Sequence, residues 1–307
     1  MEKKYNNRFL LVFFVIFTGL AAILWSMLNL PTFCGINYIV PYLIIVAIGC
    51  IFCKKSGTNY FKFIPYNFKF KFTTVLIGIA LVILLMPVSK ILSEIGTMIG
   101  GDMLSAYAQT LTSENNILIV DLISTAVVPA VFEEFFFRGV FYGGFKKTAG
   151  IRSAIIWSSI LFGIFHMNIQ QALYAIFFGF VLAFLREITG SMWPGMIFHF
   201  VNNALSVIDV HYPNFIHGKY DDFLTITGPA LNVILTIVLA VVGLVLSFFL
   251  LKICAKSEGK AAEFSNFFKQ DKGEGKSVIS PTFIISLVIC VGMTILMAFA
   301  VPMMTAS

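Results

Sequence analysis

Two carboxylates and a guanidinium stand in the stretch VFEEFFFRGVFYGGF, residues 131–145, whose other side chains are apolar or small. Held at the centre of a bilayer, each of Glu133, Glu134 and Arg138 costs on the order of 3 kcal/mol, so each must be compensated or used. Two further apolar runs carry polar groups: LFGIFHMN, with Phe162 and His166, and GMIFHFVNN, with His199, Asn202 and Asn203. Residues four apart share a helix face. Glu134 therefore neighbours Arg138, Phe162 neighbours His166, and His199 neighbours Asn203. Glu133 is turned about 100° away from Glu134. The spacing predicts an ion pair between Glu134 and Arg138, with Glu133 left for other work.

A spare carboxylate, two imidazoles and an amide point to hydrolysis. Glu133, His166 and His199 match a catalytic zinc set with an open fourth position, which brings the pKa of bound water to about 7. The alternative needs no metal: a glutamate in dry surroundings deprotonates a water held by a histidine. Both schemes stay open, because the three groups come from three helices and no local spacing such as HExxH marks a metal site. In either, Asn203 or a histidine can donate to the oxyanion of a tetrahedral intermediate. The asparagines have a plainer alternative as interhelical hydrogen bonders. Ser158 and Ser159 lie at a shallower level, with no cysteine near them, so a nucleophilic mechanism is the weaker reading.

The elements that must position these groups are membrane helices. Of 307 residues, 59% are hydrophobic and 12% charged, where a soluble domain carries about a quarter charged. Unbroken apolar runs of about 20 residues favour an all-α polytopic protein over a barrel. Nine spans are expected, at 9–28, 38–53, 73–92, 117–145, 153–168, 172–187, 191–207, 228–251 and 281–303. With the N-terminus in the cytoplasm, 18 of the 21 lysines and arginines fall on the cytoplasmic side; Lys90 and Lys219 fall outside and Arg138 within a span. That asymmetry fits a multi-pass cell-membrane protein oriented by its positive charge, and gives no support to a nucleic-acid partner. Glu133 is 13 residues from Lys146, His166 is 14 from Arg152, and His199 is 12 from Glu187. At 1.5 Å per residue all three lie roughly 18–21 Å from a cytoplasmic charge, in one layer.

Other features are structural in expectation. Gly139 and Gly143 make a small-residue packing face, and Pro129 a kink whose freed carbonyl is satisfied internally. The cysteines, Cys34, Cys50, Cys53, Cys254 and Cys290, read as packing residues; Cys50 and Cys53 have redox-motif spacing without a redox fold around them. The lysine-rich segment 255–277 reads as a solvated linker with some attraction to anionic lipid. No internal repeat supports an inverted-repeat transporter.

The order EExxxR (Glu133, Glu134, Arg138), FxxxH (Phe162, His166) and HxxxN (His199, Asn203) resembles the CAAX-protease and bacteriocin-processing (CPBP, Abi) intramembrane proteases. The likeness runs from about Pro129 to Val207, with SMWPGMIFHFVNNALS similar to the family's third motif region. It implies a protease core at 117–207, between N-terminal spans and an outer loop (1–116) and C-terminal spans (208–307). The resemblance implies Glu133 as activator of water, with His166 and His199 binding water or zinc. It also implies Asn203 at the oxyanion and Arg138 bracing Glu134. The implied substrate is a hydrophobic or membrane-associated peptide, in peptide maturation or bacteriocin self-immunity. A membrane scaffold or immunity protein acting by binding is the alternative. The Lys/Ile/Phe/Asn-rich composition is reminiscent of a low-GC bacterium, which disfavours a prenylated substrate.

Overall fold

The computed structural model describes residues 7–27, 36–56, 60–65, 67–102, 117–212, 228–267, 273, 275 and 277–305. Among these the chain is helical, with no strand. Helix α1 is Asn7–Met27, α2 is Ile36–Ser56 and, after a short 3-10 turn at Tyr60–Phe63, α3 is Phe72–Gly100. Helix α4 runs over 118–149, and α5 over 151–165. Then follow α6 (Ile169–Thr189), α7 (Trp193–His211), α8 (Pro229–Ser257), the short α9 (Ala261–Asn266) and α10 (Pro281–Thr305). Each expected span falls on one of these helices. Phe72–Gly100, Ile169–Thr189 and Ala230–Ser257 are long and apolar enough to cross a membrane; Leu10–Leu20 and Pro281–Ile295 are shorter apolar helices.

Two boundaries differ from expectation in ways that matter for the site. The fourth span continues to 149 and stops at Gly150, whose φ of 87° and ψ of 173° break the helix; a residue without Cβ adopts this backbone without strain. The fifth span ends at Phe165, so His166 caps α5 instead of lying within it. Met167 turns the chain at φ 48°. Asn168 then caps α6, its side-chain oxygen accepting the backbone N–H groups of Gln170 at 3.0 Å and Gln171 at 3.4 Å, as an N-cap asparagine does. Helix α5 is thus only about 22 Å long.

Helix α4 is not uniform. Leu122–Val127 and Phe135–Phe141 are π-helical and flank an α-helical turn, Val128–Glu134, which carries both glutamates. Pro129 explains part of this, since it has no N–H for the carbonyl four residues back and its ring crowds it. That carbonyl belongs to Thr125, and it accepts Asn203 Nδ2 from α7 at 3.2 Å. In the second π-helical stretch, the Arg138 carbonyl accepts Arg186 Nε from α6 at 3.3 Å. Neighbouring helices therefore satisfy backbone groups where the wide turns occur, which is the condition for irregular helix at membrane depth.

An aromatic core backs the glutamate-bearing helix. Phe13, Phe14 and Phe17 of α1 pack on Phe136, Phe137 and Phe141 of α4, and Phe17 stacks on Phe165 at the end of α5 with ring centroids 4.8 Å apart. The small-residue face at Gly139 and Gly143 receives the 60–65 segment. A Cβ on Gly143 would lie 2.3 Å from Phe63 Cβ, and one on Gly139 2.8 Å from Ile64 Cγ1. Gly143→Ala is therefore expected to destabilise the fold by about 1–3 kcal/mol through overpacking, read as a lowered thermal midpoint in detergent; an unchanged midpoint contradicts this packing.

The lysine-rich end is more structured than a linker. Glu258, just past α8, accepts the Lys71 N–H at 2.7 Å and bonds the Thr74 hydroxyl, so it serves the first turn of α3. Cys254 and Cys290 are buried, as packing residues are, whereas Cys50 is exposed; Cys34 and the Cys53 side chain lie outside the described residues, as do Lys219 and positions 103–116 of the outer loop.

Candidate active site

Three helices deliver the predicted residues to one place. Glu133 and Glu134 end the α-helical turn of α4, His166 caps α5, and His199 lies on the second turn of α7. Glu134 and Arg138 are fully buried, and Arg138 Nη1 donates to Glu134 Oε1 at 2.9 Å. The guanidinium is further held by the Gly179 carbonyl, which accepts Nη2 at 3.2 Å, and by the Phe162 ring, whose centroid is 4.3 Å from Arg138 Cζ. The expected ion pair is present, with an extra hydrogen bond at Nη2, while Glu134 Oε2 and Arg138 Nε have no hydrogen-bond partner.

Glu134 does more than neutralise the arginine. Its Oε1 also accepts His199 Nδ1 at 3.2 Å. His166 Nδ1 donates to the Phe162 carbonyl at 2.8 Å. Both partners are pure acceptors, so each Nδ1 carries a proton, and a ring that is neutral then presents its lone pair at Nε2. Those two Nε2 atoms face Glu133 Oε2, at 4.0 Å from His166 and 3.8 Å from His199. Glu133 Oε2 is buried and has no hydrogen-bond partner. With both rings neutral and Glu133 ionised, three acceptors converge there. Phe162 completes the arrangement edge-on to both imidazoles, with centroids 5.0 Å from His166 and 5.7 Å from His199.

Such a set asks for protons or positive charge, supplied by protonation of Glu133 or an imidazole or by a group that bridges the three atoms. The separations are too long for direct hydrogen bonds and suit a bridging group. Histidines whose Nδ1 is tied to a carboxylate or a carbonyl are also how metal-binding imidazoles are oriented, so the donor chemistry suits the expected zinc. The spacing suits it less, for among the described residues no group of three His, Cys, Asp or Glu side chains is drawn together closely enough to hold a metal ion.

Asn203, one turn on from His199, spends part of its amide outside the cluster. One amide hydrogen goes to the Thr125 carbonyl, and its oxygen accepts Asn202 Nδ2 at 3.2 Å, so its visible work is to join α7 to α4. His211 Nε2 and Asp121 Oδ2, 2.8 Å apart, make another clasp between the same two helices. Ser158 and Ser159 are buried and bond the Ile155 carbonyl of their own helix.

Sequence reasoning missed three contributors. Tyr42 of α2 donates its hydroxyl to Glu133 Oε1 at 2.6 Å. Nothing in its local sequence marks it among ten tyrosines. The Gly179 carbonyl is the second. The third is Arg186, counted only among the basic residues of the cytoplasmic side: besides the Arg138 carbonyl it reaches the Phe63 carbonyl at 3.3 Å and lies 4.9 Å from the Tyr142 ring centroid. Beside it, Glu187 takes Lys146 Nζ at 2.8 Å and the Tyr142 hydroxyl. The charges that mark one end of the helices also lock α6 to α4.

Fold and site together define a class: an all-α membrane protein with an acid and two imidazoles sheltered between helices. Residues 115–205 match the family model of the type II CAAX prenyl endopeptidase Rce1-like proteins. Over 104 residues the chain is 30% identical to a Bacillus subtilis (strain 168) protein named "Putative membrane peptidase YdiL", a stretch covering 31% of this chain and 43% of that protein. The chain thus spans less than half the length of that relative. No solved structure matches it. The resemblance read from the three motifs is borne out: residues 115–205, which hold all three, are similar to the Rce1-like family.

Proposed function

We propose that this chain is an intramembrane endopeptidase that hydrolyses a peptide bond in a hydrophobic or membrane-associated peptide, with Glu133 as the base. The observation that carries the reading is the unpartnered Glu133 Oε2 facing two imidazole lone pairs. A water between them donates one hydrogen bond to Oε2 and another to an Nε2, leaving an oxygen lone pair for the peptide carbonyl. As the C–O bond forms, a water proton passes to Glu133 and the carbonyl electrons move to its oxygen. The second amide hydrogen of Asn203 serves that oxyanion. Glu133 then returns the proton to the leaving nitrogen as the C–N bond breaks.

The remaining assignments belong to the same proposal. The site opens toward a cytoplasm that also holds the N-terminus, in a bacterial plasma membrane, and lipid and the peptide are the partners. Zinc on Glu133, His166 and His199 would supply Lewis acidity and a more acidic water; elemental analysis of purified protein distinguishes the two schemes. The second reading, a scaffold or immunity factor, is favoured by no specific contact.

His199→Ala is the direct test. It removes a water partner, while Glu134 keeps Arg138 as its counter-charge. Turnover of a quenched hydrophobic peptide in proteoliposomes is expected to fall at least about a hundredfold with the protein still folded. Turnover retained in the variant would remove His199 from the chemistry, and absence of turnover in the wild type would leave binding as the function.

A further inference from the structure

The hydrogen bond from Tyr42 to Glu133 lies outside the family-matched stretch, for Tyr42 belongs to α2 and the match begins at residue 115. Tyr42 is buried, 1% exposed, and its hydroxyl is 2.6 Å from Glu133 Oε1. Among the described residues it is the one hydrogen-bond donor to that carboxylate. A phenol titrates near ~10, so at neutral pH it can donate to a carboxylate.

The terminal torsion of a glutamate is broad and roughly two-fold, so the side chain alone does not choose which oxygen faces which way. The phenol chooses. With Oε1 bound to Tyr42, Oε2 is the oxygen turned toward His166 and His199. The ring is held independently of this bond, stacked on Phe132 with centroids 5.1 Å apart and planes at 16°.

We infer that Tyr42 is a positioning residue: by holding Glu133 Oε1 it presents Oε2 to the attacking water, so a helix outside the matched core completes the site. The inference rests on the reading of Glu133 as base. A misplacement of about 1 Å in a reacting group can cost about a hundredfold.

The experiment is kinetic. Tyr42→Phe keeps the stacked ring and removes the hydroxyl; it is expected to lower kcat about 10- to 100-fold, with KM within about twofold and the thermal midpoint unchanged. In a Glu133→Asp background the shorter acid no longer reaches the phenol, and Tyr42→Phe should then cost about twofold or less, as a pair acting through one contact requires. Phe132→Leu removes the stacked ring and keeps the hydroxyl; kcat within about threefold of wild type is expected, since the contact at issue is preserved. Full kcat in Tyr42→Phe, equal costs in the two backgrounds, or an equal kcat loss in Phe132→Leu overturns the inference. If Glu133→Gln abolishes turnover while Tyr42→Phe is fully active, the base reading stands and this inference falls. If Glu133→Gln is active, both fall.

Discussion

Replacing Glu133 by Gln is expected to abolish peptide cleavage, by about a thousandfold or more, in a protein whose thermal midpoint is equal to or above that of wild type. The two halves of this result have one cause. In the native site Glu133 Oε2 and the two histidine Nε2 atoms are acceptors facing one another. A glutamine in the same place still accepts the Tyr42 hydroxyl through its carbonyl and offers amide hydrogens to the imidazole lone pairs. It thereby satisfies groups that are costly to bury unpaired and removes the base. Turnover in proteoliposomes and thermal unfolding of the same preparation check it. Cleavage within tenfold of wild type would remove Glu133 from the chemistry, and a large drop in midpoint would show that the convergence of acceptors is misread.

The second large effect is on folding. Arg138→Leu leaves Glu134 fully buried beside an apolar side chain, and is expected to destabilise by about 3–5 kcal/mol, as breaking a buried pair from one side does. The double variant Glu134→Leu with Arg138→Leu should recover much of that stability, because an apolar pair needs no counter-charge. It should not recover activity. Glu134 Oε1 also fixes His199 through Nδ1, and without it the ring can turn. Thermal unfolding separates the single from the double variant, and the cleavage assay shows whether both remain inactive. A double variant that cleaves normally would reduce Glu134 to a counter-ion.

What was legible in the sequence were the contacts local to one helix and the groups that membrane interior penalises. Glu134 and Arg138 are four apart on one helix and pair as the spacing says. The histidines were legible because two of them stand at matched depth with a spare glutamate, which brought three helices to one layer. The nine spans were legible for the same energetic reason, with ends that slipped where His166 leaves its helix and where Gly150 breaks one. Hidden from the sequence was whatever depends on which helix stands beside which. Tyr42 sits among apolar residues like any packing tyrosine, Arg186 looks like an orientation charge, and Gly179 contributes only a carbonyl. Asn203 was legible as polar, but its partner was a backbone atom whose availability depends on a distant proline.

That proline has a consequence for how the chain can change. Restore an N–H at position 129 and the Thr125 oxygen gains a donor within its own helix that competes with the half-buried Asn203 amide. Remove the amide instead, and the oxygen loses the bond that ties it to the neighbouring helix. A tolerated replacement at either position therefore calls for a matching one at the other, and the imidazole one turn before Asn203 would register any mismatch as a change in its distance from the acid.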